Sequence, residues 1–170
     1  MVELAGVRRR HEEFGEAVEA LRETADQMEE GTTLELWDRL TNAVGFLNHE
    51  LLPYAAVEEE ILYPALAVAA DAATPVDVLR AEQLEIRRLT NELDEARRGL
   101  PLGEGGAWSK VRSVLYGLHA VARMHFRIQD EVVLPLLEAE LDPRSAEQLD
   151  DAIRAVAHTA GRSPVYESLT

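Results

Sequence analysis

The sequence predicts an all-α protein, an antiparallel up-down-up-down four-helix bundle with a shorter fifth helix at its C-terminal end. Three observations predict it. Apolar residues recur at alternating intervals of three and four through four long segments, the period that gives a helix one buried stripe. Helix-stopping residues fall between those segments at regular intervals. The composition is rich in Ala, Leu, Glu and Arg and only 5% aromatic, which favours helix because these side chains lose little freedom in a helical turn. Nothing in the chain suggests strands.

The first helix carries its stripe on Leu4, Val7, Phe14, Val18, Leu21, Ala25 and Met28, with His11 in the remaining slot. Gly31-Thr32-Thr33 ends it, and Thr32 with Glu35 makes a capping box for the next. The second stripe runs through Trp37, Leu40, Val44, Leu47, Leu51, Ile61 and Ala65, with Tyr54 and Glu58 in the gap. Thr74-Pro75 reads as an N-cap followed by proline at the first helical position. The third helix uses Val76, Leu79, Ile86 and Leu93, interrupted by Gln83 and Thr90. A glycine-rich loop from Gly99 to Gly106 follows. The fourth uses Val111, Leu115, Leu118, Ala122, Val132 and Leu136, interrupted by His125 and Gln129. Asp142-Pro143 starts the short fifth helix and Gly161 closes it. Residues 1–161 are thus expected to form one domain, and 162–170 a loose tail.

The 170 residues suit a single domain with a sizeable core. Cysteine is absent, which excludes disulfides, zinc–thiolate sites and thiol catalysis. A formal net charge of -15 repels phosphate backbones and argues against a nucleic-acid partner. The run Arg8-Arg9-Arg10 reads as a solvated helix face. No terminal apolar run is long enough for a signal peptide or a membrane span. The expectation is therefore a soluble cytoplasmic protein with no membrane partner. The glycine-rich loop lacks the lysine and the strand context of a phosphate-binding loop.

The polar interruptions of the stripes coincide in height. In an up-down bundle the start of the first helix lies beside the end of the second. Counted from that shared end at about 1.5 Å per residue, His11, Tyr54, Glu58, Gln83, His125 and Gln129 fall within a slab roughly 6 to 8 Å thick. Four different helices contribute them. A buried layer with two imidazoles and a carboxylate is costly unless something satisfies it. Two readings follow from the residues alone. The layer holds a transition metal, since imidazole nitrogen and carboxylate oxygen ligate iron, manganese or zinc; or it is a hydrogen-bonded network in which Gln and Tyr supply donors and acceptors.

The stretch from Leu51 to Pro64, LLPYAAVEEEILYP, resembles the second-helix motif of hemerythrin-like (HHE cation-binding) domains, and Leu115 to Glu131 resembles their fourth-helix motif. The two stretches also resemble each other, Glu60-Ile61-Leu62-Tyr63-Pro64 paralleling Glu131-Val132-Val133-Leu134-Pro135. The family's ligand pattern is a histidine, then H-x-x-x-E, then a histidine, then a second H-x-x-x-E. By this resemblance His11 stands at the first histidine, Glu58 at the first glutamate and His125 at the histidine of the last motif. Tyr54, Gln83 and Gln129 replace three expected ligands. Asp130 satisfies the alternative H-x-x-x-x-D spacing from His125.

The resemblance implies non-haem iron, as one or two ions, and a small partner such as dioxygen, peroxide or nitric oxide. It leaves carrier, sensor and oxidase- or peroxidase-type enzyme all open. The residues it points to as metal ligands are His11, Glu58, His125 and Asp130. Tyr54 and His119 flank them as candidate cofactor contacts. His49 is expected on the surface, and His158 has no partner visible in the sequence. The alternative is a metal-free descendant of the family that binds a small ligand or another protein.

Overall fold

A computed structural model describes residues 4–28, 34–69, 74–100 and 106–160. Among these residues the chain is helical nearly throughout, without strands. Helix α1 spans Ala5–Gln27. Helices α2 (Leu34–Phe46), α3 (Leu52–Val57) and α4 (Tyr63–Ala69) run on as a single rod. Helix α5 spans Thr74–Gly99 and returns alongside it. Helices α6 (Ala107–Ile128) and α7 (Leu134–Glu140) form the fourth rod, and α8 (Pro143–Ala160) is the shorter fifth helix. The bundle is the one the sequence predicts. The Thr32 capping box, the loop over 101–105, Gly161 and the tail lie outside the described residues, as do the side chains of Thr74, Pro75 and His158. No helix among the described residues is long and apolar enough to cross a membrane.

The joints inside the two composite rods are wide π turns, at Leu47–Leu51, Glu58–Leu62 and Gln129–Val133. Each ends two residues before a proline: Pro53, Pro64 and Pro135. Proline lacks the N–H that would close the preceding α turn, and its ring collides with the carbonyl four residues back. A turn widened by one residue removes the collision.

That extra residue corrects part of the predicted stripe. Ile61, Ala65 and Leu136 are only half-buried, and Val132 is 57% exposed. Their neighbours Leu62, Tyr63, Leu66, Val133, Leu134 and Leu137 fill the core instead. On α1 and α6 the predicted stripe holds, with Leu4, Val7, Phe14, Val18 and Leu21 buried on the first and Val111, Leu115, Leu118 and Ala122 on the second; on α2 Trp37 and Val44 are only half-buried, and their neighbours Leu36 and Ala43 are buried instead. Thr90 bonds back to the Ile86 carbonyl at 2.8 Å, which satisfies it without a partner helix.

Helix α8 packs against α1, α3 and the Glu58–Leu62 turn. The first turn of α1 has no cap of its own. Glu138 Oε1 accepts the Leu4 amide at 2.8 Å, and Asp150 Oδ1 accepts the Val7 amide at 3.1 Å. These carboxylates satisfy amides that a helix start leaves open and complement its positive end. Arg8 of the basic run is not simply solvated, since it pairs with Glu138 Oε2 at 2.9 Å and reaches the Asp130 carbonyl.

Candidate metal centre

His11, Tyr54, Glu58, His125 and Gln129 are all buried, as the coincidence of their heights predicts. Tyr54 and Glu58 are one turn apart on one rod, and His125 and Gln129 are one turn apart on the facing one. Below them, Phe14 packs edge-on against Tyr54 and tilted against Phe126, with ring centroids 5.2 and 5.8 Å away. This aromatic floor keeps the polar layer dry on its inner side and fixes the His11 ring, 4.9 Å from Phe126.

Glu58 is the centre of the layer. His11 Nε2 lies 3.7 Å from its Oε1, and His125 Nε2 lies 3.4 Å from its Oε2. Gln83 Nε2 donates to the same Oε2 at 2.7 Å. Tyr54 stands on the His11 side, its hydroxyl 3.4 Å from His11 Nε2. The carboxylate is thus flanked by His11 at one oxygen and by His125 and Gln83 at the other, with Tyr54 beside His11.

Each imidazole is held from behind by a second carboxylate. His11 Nδ1 meets Asp130 Oδ1 at 2.7 Å, and His125 Nδ1 meets Glu82 Oε2 at 2.9 Å. An Nδ1–H bonded to a carboxylate fixes the ring's orientation and makes its Nε2 a more basic donor, the arrangement found behind metal-ligating histidines. Asp130, proposed from the sequence as a ligand, occupies this outer position and does not face Glu58 through His11 Nε2. Glu82 was not visible in the sequence, because it lies one residue off the third stripe beside Gln83. His119 is not brought to the layer; its Nε2 bonds Glu19 Oε1 at 3.0 Å. His49 is exposed.

The electrostatics follow from burial and pairing. Burial alone would raise the Glu58 carboxyl, but the His11 and His125 rings that face it outweigh burial and bring the pKa down to about 2. Burial alone would lower the imidazoles. Asp130 and Glu58 outweigh it at His11, whose pKa is raised, and Glu58 with Glu82 hold His125 at about 9. Burial, reinforced by Glu58, pushes the Tyr54 hydroxyl well above its ordinary range, so it stays a phenol. At neutral pH the metal-free layer therefore sets an imidazolium at His125 against the ionised Glu58 carboxylate, and the His11 ring is shifted in the same direction as His125.

Two features bear on whether a cation suits this layer. Glu58 Oε1 and both amide atoms of Gln129 are buried without hydrogen-bond partners, an arrangement that is expensive unless a further group completes it. The donors that face Glu58 are imidazole nitrogens backed by carboxylates, a chemistry suited to a first-row transition metal. Among the described residues, however, no three His, Asp or Glu side chains are already drawn together as ligands of one ion.

The profile of the hemerythrin HHE cation binding domain matches residues 3–110, more than half of the chain. The chain belongs to that family. The matched stretch contains His11, Tyr54, Glu58, Gln83 and Glu82, while His125, Gln129 and Asp130 lie beyond it. Neither the curated proteins nor the solved structures searched gave a match. Membership in the HHE family accounts for the helical bundle and for a polar layer built from several rods.

Proposed function

We propose that the protein is an HHE-family metal protein that holds iron through His11 Nε2, Glu58 and His125 Nε2 and engages a small oxygen-type molecule, dioxygen, peroxide or nitric oxide, beside it. The observation that carries this reading is the doubly backed geometry. Two imidazoles turn their Nε2 atoms towards one carboxylate while Asp130 and Glu82 anchor their Nδ1 atoms. Two histidines and one carboxylate are a sufficient set for one non-haem iron with open positions.

Bound iron would supply a redox-active Lewis acid at the centre of the layer. The chain's own groups do the rest. Asp130 and Glu82 hold the ring orientations, and Tyr54 presents a phenol O–H at the His11 edge. The Phe14 and Phe126 rings exclude water from below. Loading the site requires both imidazoles to release the proton at Nε2, so uptake is favoured by rising pH.

One observation favours the metal-free alternative. Gln83 turns its amide nitrogen, a donor and not a ligand, onto Glu58 Oε2. The two readings separate in one experiment: elemental analysis and the visible spectrum of protein made in iron-supplemented cells, compared with the His11→Ala/His125→Ala double variant. Iron in the parent that disappears from the double variant supports the assigned site. Unchanged metal content in the variant sinks it, and a folded, colourless, iron-free parent makes the layer a small-ligand network.

A further inference from the structure

Phe14 belongs to two places at once. Its ring packs against Tyr54 and Phe126 beneath the polar layer. It also lines a groove of about 1030 Å³ between α1 and α2, walled by Ala17 and Ala20 on one helix and Ala43 and Gly45 on the other. Small side chains leave that space unfilled, and a β-carbon on Gly45 would meet nothing within 4 Å. Beyond Tyr54 and Phe126 lies a second void of about 10 Å³, lined by those two rings with Glu58 and His125. It has room for roughly one water-sized molecule. The chain of contacts is unbroken: groove, Phe14, the Tyr54 and Phe126 rings, then the cavity beside Glu58.

The Phe14 ring is covered from outside by Arg10, whose Cζ stands 4.5 Å over the ring centroid. The guanidinium is tied to two residues of the groove wall. It donates to Glu13 Oε2 at 2.9 Å and reaches Glu50 Oε2 at 3.9 Å. Under that strap Phe14 is 1% exposed, although it fronts the groove. A passage walled by rings favours molecules that lose little on leaving water. An ion would give up its hydration there without a partner, and Glu13, Glu16 and Glu50 along the groove repel anions.

We propose that small, uncharged, weakly hydrated molecules such as dioxygen reach the polar layer from the α1/α2 groove, past Phe14. Phe14 is then a gate that determines specificity, Arg10 is the strap that holds it shut, and the cavity beside Glu58 and His125 is the resting place. This rests on reading the layer as a small-ligand site, not on the presence of iron.

Fluorescence quenching of the iron-free full chain tests the route. Phe126→Trp, with Trp37→Phe and Trp108→Phe, leaves one indole beside the cavity; Leu51→Trp, on the same cavity, replaces it if that chain does not fold. The excited-state lifetime is read against dissolved dioxygen and against iodide. Phe14→Leu is expected to speed dioxygen quenching several-fold, and Arg10→Gln to do the same without opening a core void. Iodide is expected to quench poorly throughout. Leu21→Ala, which makes a void elsewhere on α1, is the control. Dioxygen quenching unchanged by Phe14→Leu or by Arg10→Gln, or sped equally by Leu21→Ala, overturns the proposal, as does iodide quenching as fast as that by dioxygen. Elemental analysis of the parent decides the metal reading separately, so that either reading can fail alone.

Discussion

Both carboxylate oxygens of Asp150 stand 2.7 Å from the point where a β-carbon on Gly6 would lie. The glycine is what lets α8 bring a buried carboxylate up to the Val7 amide. Gly6→Ala is therefore expected to force Asp150 off its cap and destabilise the fold by about 1–3 kcal/mol, the usual cost of overpacking. Urea denaturation reads the change. An alanine variant as stable as the parent would show that α8 does not press on α1 in this way.

The metal-free protein should lose stability as the pH rises. His125 has a folded pKa of about 9 against an ordinary 6.5, through Glu58 and Glu82. A raised histidine contributes fully below 6.5 and loses its contribution as the pH climbs through 9. Glu58 acts in the opposite direction: its pKa falls from 4.5 to about 2, so its contribution is present above 4.5 and fades towards pH 2. Stability of the iron-free protein is expected to peak between these limits, near pH 5 to 6. Calorimetric melting across that range measures it, and a melting temperature that rises from pH 6.5 to 9 contradicts the pairing.

Asp130→Asn separates the two imidazoles. The variant keeps the shape but removes the charge that helps hold the His11 pKa up. The His11 titration, followed by NMR in the iron-free protein, is expected to move to lower pH, whereas His125, backed by Glu82, stays in place. Equal movement of both would mean that the rings titrate as one unit and that Asp130 acts on the layer as a whole.

A deletion in the middle of a helix is ordinarily ruinous, because everything beyond it turns by about 100°. The Gln129–Val133 turn already contains one residue more than an α turn. Removing Val132, with Pro135→Ala to relieve the proline clash, should leave an ordinary α-helix with Gln129, Leu134 and Leu137 still facing inward. Circular dichroism and melting should stay close to the parent. Deleting Ala120 from the regular part of α6 is the control and should unfold the protein.

That turn also shows where the sequence stopped being legible. The stripes of α1, α5 and α6 could be read from period alone, because nothing interrupts their hydrogen bonding. The layer could be read as well, since six polar interruptions at one height are a geometric fact about helices. What could not be read is the register after Glu58 and Gln129, where the predicted Ile61 and Val132 give way to Leu62 and Val133. Pro64 and Pro135 were the available signal, since a proline late in an apolar helix demands some local widening. Glu82 and Asp150 had no such signal. Each is an unremarkable acidic residue in a sequence with 32 of them, made specific only by what packs against it.

The caps on α1 also carry a temporal meaning. The amides of Leu4 and Val7 find their acceptors 134 and 143 residues further along the chain. On the ribosome, where residues emerge in chain order, α1 must wait for Glu138 and Asp150 to be made before its first turn is complete. Contacts of such long range slow the approach to the native state. A product released before Glu138 and Asp150 are made would lack both acceptors of the α1 start, and its first turn would fray.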